Sequence, residues 1–157
     1  MKLIFMMLVI INFSYANYSI YFSGIKLGVA KNFDTLNDHY LKADVTNSIA
    51  KLLLGRDTFI FYDEKFSLKK DKTNIKYKKD KNQIIEILRR ATNNNLKPGR
   101  ITINEKKHID ISFDKNYKFK YTSDDRIKSE GHFTVKDGEL IKFIETVNNI
   151  EISKNEK

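Results

Sequence analysis

Residues 17–33, NYSIYFSGIKLGVAKNF, follow an apolar leader and alternate with the period of two expected of β-strands. Tyr18, Ile20 and Phe22 point one way, and Ser19, Tyr21 and Ser23 the other. Ile25, Leu27 and Val29 then alternate with Lys26, Gly28 and Ala30. Glycine weakens a strand, so Gly24 and Gly28 imply bulges, bends or close approach of a neighbouring backbone. Gly24 reads either as such a bend or as the turn of a hairpin joining the two runs. Gly28, inside the second run, reads as a point of curvature in a sheet that must curl.

The leader has the three parts of a secretory signal: Lys2, the apolar run LIFMMLVIINF from Leu3 to Phe13, and small residues at Ser14 and Ala16. A run of eleven residues is well short of the roughly 20 that a membrane-spanning helix needs. The chain contains no cysteine, which argues against a lipid-anchored lipoprotein and leaves no disulfide to staple the fold. The expectation is a periplasmic protein, exported and cut after Ala16, with no membrane span in the mature chain. Residues 17–152 would then form one β-rich domain, and residues 153–157 a polar tail.

The full chain carries 29 Lys and Arg against 20 Asp and Glu, a net charge of +9. Loss of Lys2 with the leader lowers this only to +8. In an exported protein such a balance favours anionic partners, lipid headgroups or acidic proteins, and makes nucleic acid an improbable one.

Alternation continues through Leu41/Ala43/Val45, Phe59/Phe61, Ile75/Tyr77, Ile101/Ile103, Ile109/Ile111/Phe113, Tyr117/Phe119/Tyr121 and Phe133/Val135. Turn residues separate these runs, most tellingly Asp137-Gly138, which suits a hairpin turn with positive φ at both central positions. Two segments have another period. Thr46 to Leu54 (TNSIAKLLL), ending at Gly55, predicts a short helix with a glycine cap. Ile84, Ile87, Leu88 and Ala91 share one face of a second helix, with Asp80 and Gln83 as a prospective capping box and Asn93-Asn94-Asn95 as its stop. The fold class expected is mainly β (α+β): a curved antiparallel sheet or half-barrel meander with one or two short helices.

The stretch Tyr18-Ser-Ile-Tyr-Phe-Ser-Gly24-Ile-Lys-Leu-Gly28 resembles the opening of a bacterial periplasmic family known only as a domain of unknown function. Its members start Tyr-x-apolar-x-aromatic-x-Gly-apolar-x-apolar-Gly behind a signal peptide. The likeness extends over roughly residues 18 to 66, through Tyr40 to Val45, Ile49 to Gly55 and Thr58 to Tyr62. It implies a half-barrel with helical cover, similar in outline to periplasmic lipoprotein carriers, and it brings no catalytic residues with it.

Without cysteine, a phosphate-binding glycine loop or a Gly-x-Ser-x-Gly elbow, several routes of catalysis are closed. His108 shares a strand face with Asp110, and His132 with Glu130, which would make a metal site only if the two pairs converged. The spacing matches no ligand motif, so neither a metal, a cofactor nor a catalytic residue is expected. Asp124-Asp125 reads as a turn. A lysine-rich run that includes Lys69, Lys70, Lys76, Lys78 and Lys79 offers a basic patch for an anionic partner, or an edge strand guarded against aggregation. Phe59, Phe61, Phe119 and Phe133 are core residues on the simplest reading, and candidates to line a ligand groove if the half-barrel is open.

The expected function is therefore non-enzymatic: an envelope protein that holds an apolar or lipid-like ligand, or a protein partner, on a curved sheet. The alternatives are an adaptor subunit of a large envelope machine, such as a periplasmic ring around a motor or an outer-membrane assembly, and, least favoured, a metal-dependent enzyme. The leader makes a direct prediction. Intact mass of the protein purified from its native envelope corresponds to a chain starting at Asn17, and a mass retaining residues 1–16 would mean an anchored protein.

Overall fold

The computed structural model describes residues 18–67 and 74–155. The leader with Ala16, and Lys69 and Lys70 of the basic run, lie outside these residues. Strands β1 (Tyr18–Phe22) and β2 (Ile25–Ala30) form the opening hairpin, and a 3-10 turn at Asp34–Asp38 leads to β3 (Tyr40–Val45). Helix α1 (Ser48–Leu54), β4 (Thr58–Tyr62), β5 (Ile75–Lys79) and helix α2 (Ile84–Thr92) follow. The second half is all strand: β6 (Gly99–Asn104), β7 (Lys107–Phe113), β8 (Tyr117–Ser123), β9 (Arg126–Lys136), β10 (Glu139–Glu145) and β11 (Ile150–Lys154).

All eleven strands belong to one open sheet, in the order β5-β4-β3-β2-β1-β11-β10-β9-β8-β7-β6. The first strand pairs with the last at its centre, Tyr18 opposite Lys154 and Phe22 opposite Ile150. Ser153 and Lys154, expected in a polar tail, are therefore part of this central pairing. Lys154 also forms an ion pair with Glu139. The sheet is mixed rather than wholly antiparallel, because β5 runs parallel to β4. A parallel neighbour needs a crossover connection, here the segment between Tyr62 and Ile75.

Strand β5 forms one edge of the sheet and β6 the other, so α2, which joins them in sequence, carries the chain from edge to edge. A flat sheet of eleven strands would be roughly 48 Å wide. A nine-residue helix is only about 14 Å long. Yet every strand except β5 places an apolar side chain in the single core that contains Ile84, Ile87, Leu88 and Ala91 of α2. The sheet therefore curls around the helix, with an inner face buried beneath it. The periodic face read for α2 is the face it buries.

The cap of α2 differs from the expected box. Gln83 adopts a left-handed backbone and makes no side-chain cap. Asp80 does the capping alone: its Oδ2 accepts from the Ile85 amide at 2.7 Å and its Oδ1 from the Asn82 amide at 2.9 Å.

The opening glycines have separate causes. Gly24, at φ +78°, makes the β1–β2 turn together with Ser23 at φ 49°. Gly28 has no such backbone requirement and is held by space: a Cβ there would lie 2.3 Å from the Asp44 carbonyl oxygen of β3. Gly131 of β9 repeats the arrangement against the Ile144 carbonyl of β10 at 1.9 Å. Both glycines sit on the inner face, Gly28 opposite Ile20 and Gly131 opposite Phe119. A curling sheet brings neighbouring strands closest on its inner side, so these are the points at which its two wings fold inward.

Gly28→Val consequently tests steric fit against strand propensity. Propensity alone favours valine within a span of about 1 kcal/mol. The clash is with backbone, which yields less readily than a side chain, so we expect a net destabilisation of roughly 1–3 kcal/mol. Urea unfolding measures it, and a variant as stable as the parent would disprove the close approach.

Candidate functional site

The two ends of the curled sheet differ. At one end α2, the 3-10 turn and the β9–β10 turn gather. Asn93 Nδ2 donates to Asn37 Oδ1 at 2.7 Å, and the Asn94 side chain lies against Gly138. Beneath this cover Tyr18 stacks on Phe33, with ring centroids 3.9 Å apart. Toward the other end the inner face emerges from cover. Along β1 the exposure of its inward side chains rises from 4% at Tyr18 to 49% at Phe22. Ile25, opposite Phe22 across the hairpin, is exposed as well.

Helix α1 stands at this second end. The amides of Thr46 and Asn47 both donate to the Leu27 carbonyl, which pins the start of the helix to β2. Asn47 Oδ1 accepts from the Ala50 amide at 3.0 Å, and Gly55 closes the helix in the left-handed region at φ 65°. Ala50 is buried, so the helix rests on that side. Ile49, Leu52 and Leu53, spaced i, i+3 and i+4, form the opposite stripe. They are 68%, 83% and 80% exposed. The β10–β11 turn adds Val147, half exposed, and the Ser23 amide donates to the Asn149 carbonyl to hold this turn against the β1–β2 turn. Three separate chain segments thus raise exposed apolar side chains at one end of the sheet, its apolar tip. Large apolar side chains exposed singly are ordinary, but a cluster of them marks an interaction surface.

The residues singled out in the sequence lie elsewhere. Phe119 and Phe133 are fully packed in the core, stacked with Phe143 at centroid separations of 5.2 and 6.3 Å. Phe61 packs against that core, and Phe59 lies 6.5 Å from Phe61 on the same face. Helix α2 packs over the inner face, where the side chains of Phe119 and Phe133 are buried and those of Phe59 and Phe61 half-buried. Of the basic run, Lys76, Lys78 and Lys79 are exposed on the edge strand β5. Register places Lys76 and Lys78 with Phe59 and Phe61, and Lys79 on the opposite face with Tyr62. The three lysines therefore guard both faces of an edge and make no single patch.

The outer face of β6–β9 is a charged ladder in register: Arg100 opposite Asp110, Asp110 opposite Lys120, Lys120 opposite Glu130. Arg100 grips Asp110 through two bonds of 2.7 and 3.0 Å, and that hydrogen bond holds the Asp110 carboxyl below its ordinary range. A trough of about 520 Å³ runs over this face between Asp110 and His132. His108 does meet Asp110, at 3.4 Å, but Lys120 stands between that pair and Glu130. Among the described residues no three His, Asp or Glu side chains gather as metal ligands would.

A second group of carboxylates sits where β4 and β5 end. His39 Nδ1 lies 2.8 Å from Asp63 Oδ2, whose other oxygen accepts from the Lys65 amide. Asp80 is close by, and burial, only partly offset by its backbone hydrogen bonds, pushes its carboxyl up to about 6. Perturbed acids cluster in catalytic sites, but both Asp80 oxygens already accept backbone amides, so the group serves to start α2. Its charge carries a consequence. Between about 4, where the unfolded chain releases this proton, and about 6, the folded state retains it, so stability declines as pH rises through that window. The contribution is on the order of 3 kcal/mol. Asp80→Asn should flatten this part of the stability–pH curve in urea titrations, and an unchanged slope would show that Asp80 titrates normally.

The tip was not visible in the sequence as a site. TNSIAKLLL was legible as a helix, but an apolar stripe on one face reads identically whether it is buried or bare. Comparisons with protein-family models, with curated proteins and with solved structures find no match for the chain. None of the described helices is long and apolar enough to cross a membrane.

Proposed function

We propose that this protein is an exported, non-enzymatic binding module of the bacterial envelope, which acts by docking its apolar tip on another apolar surface. The observation that carries this reading is the bare stripe of Ile49, Leu52 and Leu53, with Phe22 and Ile25 also exposed at the same end of the sheet. Evolution of a stable domain gains nothing from leaving leucines in water, because burying each would contribute roughly 1.5–3 kcal/mol. The leader and the resemblance of residues 18–66 to a periplasmic family favour the periplasm as the location. The filled inner face moves the contact from the sheet's concavity, where a lipoprotein carrier would hold its cargo, to its end.

A photoreactive amino acid at Leu52, in cells, tests the reading. It should form an adduct with lipid or protein, while the same group at Lys118 on the outer face should not. No adduct at Leu52 in a protein that still folds and reaches the envelope would refute a docking role for the tip. An adduct with one subunit of a large assembly would identify the protein as an adaptor.

A further inference from the structure

We propose that the surface on which the tip docks is an anionic lipid bilayer, entered by Leu52, Leu53, Ile49, Phe22 and Ile25. This rests on the binding role of the tip and names its partner. Shape is the first argument. Sites for small apolar ligands are concave and enclose most of the ligand. Here the side chains project outward from a helix and two turns, which suits shallow insertion into the headgroup region rather than capture of a free lipid.

Charge is the second argument. Exposed Lys26 follows Ile25 directly and Arg56 lies just beyond the end of α1, while Lys51, which precedes Leu52, is held by Asp57. Arg126 and Lys128 flank the half-exposed Ile127 at the start of β9, which lies at the same end of the sheet. Two of the acidic groups at this end are engaged, Asp57 by Lys51 at 3.0 Å and Asp124 by Lys106 at 4.0 Å. An apolar stripe rimmed by lysine and arginine is the composition of interfacial membrane-binding helices, with the basic groups drawn to anionic headgroups.

Composition separates lipid from the other occupants. Protein interfaces anchor on Trp, Tyr and Arg, with Leu and Val under-represented among the residues that matter most. The tip is built of leucine, isoleucine and valine with one phenylalanine. A second copy of the chain is disfavoured because a two-fold contact brings each patch onto its own equivalent, which would set the same basic rim against itself.

The test uses the processed protein, purified after export, in flotation with phosphatidylglycerol-containing vesicles and with purely zwitterionic ones. The protein should float with the anionic vesicles, bind the zwitterionic ones weakly, and lose binding as salt is raised. Leu52→Ser combined with Leu53→Ser should weaken binding to anionic vesicles by roughly tenfold or more. Lys26→Glu combined with Arg56→Glu should abolish the preference for anionic vesicles. All four positions are exposed, and circular dichroism with urea unfolding verifies that the variants fold. Equal binding by the leucine variant, or loss only on Lys76→Glu with Lys78→Glu, would overturn the proposal by placing the contact on the β5 edge. A dimer dispersed by the leucine substitutions would overturn it in favour of self-association. Protein adducts at Leu52 without vesicle binding would overturn the lipid assignment and leave the docking role standing, whereas absence of both would end both.

Discussion

One nine-residue helix lies against a sheet of eleven strands, and the rest of the structure answers to that disproportion. A sheet face that includes Ile109, Phe119, Phe133, Leu140, Phe143 and Ile152 must be removed from water, and α2 is too short to cover it flat. Curling lets the sheet supply most of its own cover, with the helix filling the space that remains. The two glycines on the inner face allow neighbouring backbones to approach there. Burial of the helix start brings a cost in turn, since Asp80 must cap it from a site that disfavours its own charge.

The same disproportion explains why the two ends differ. Helix α2 and the turns packed on it seal one end. The other is covered only by seven-residue α1, which turns Ala50 inward and its larger apolar residues outward. The outer face of β6–β9 needs no cover, because its charges neutralise one another across the strands, whereas on the β3–β5 side Phe66 packs against Tyr40, Tyr62 and Tyr77. The rung from Arg100 to Glu130 alternates in sign at each step, and opposite charges in such cross-strand positions stabilise a wet face modestly while adding little apolar surface. Apolar exposure is thus concentrated at one place instead of being spread over the molecule, with Phe113 on the β7–β8 side as an isolated exception.

Much of this fold is legible locally. Alternation identifies the strands and the face each turns inward, as with Tyr18, Ile20 and Phe22, or Tyr117, Phe119 and Tyr121. Ile84, Ile87, Leu88 and Ala91 define α2 and the stripe it buries. What escapes local reading is anything decided by a distant partner. The parallel pairing of β5 with β4 depends on a crossover, not on the residues of β5. Strand β11 is short and half polar, IEISK, and becomes a strand because β1 and β10 flank it. The tip escapes for a related reason: spacing shows that Ile49, Leu52 and Leu53 share a face, while only the assembled sheet shows that none of the described residues covers that face. Phe119 and Phe133 are the converse case, for aromatic alternation fits a groove and a core equally until the position of α2 distinguishes them.

The seam between β1 and β11 has a bearing on the order in which the sheet can be assembled. The strand at the heart of the sheet, Tyr18–Phe22, has as its partner Ile150–Lys154, the strand farthest from it in sequence. Closing that loop spans nearly the whole chain, and pairings of such sequence separation form slowly. Until β11 pairs with it, β1 has only its hairpin with β2, and a lone two-stranded hairpin is marginal in water. The topology thus postpones completion of the sheet until β11 has joined β1. That delay obliges the unpaired strands to be shielded from aggregation in the meantime.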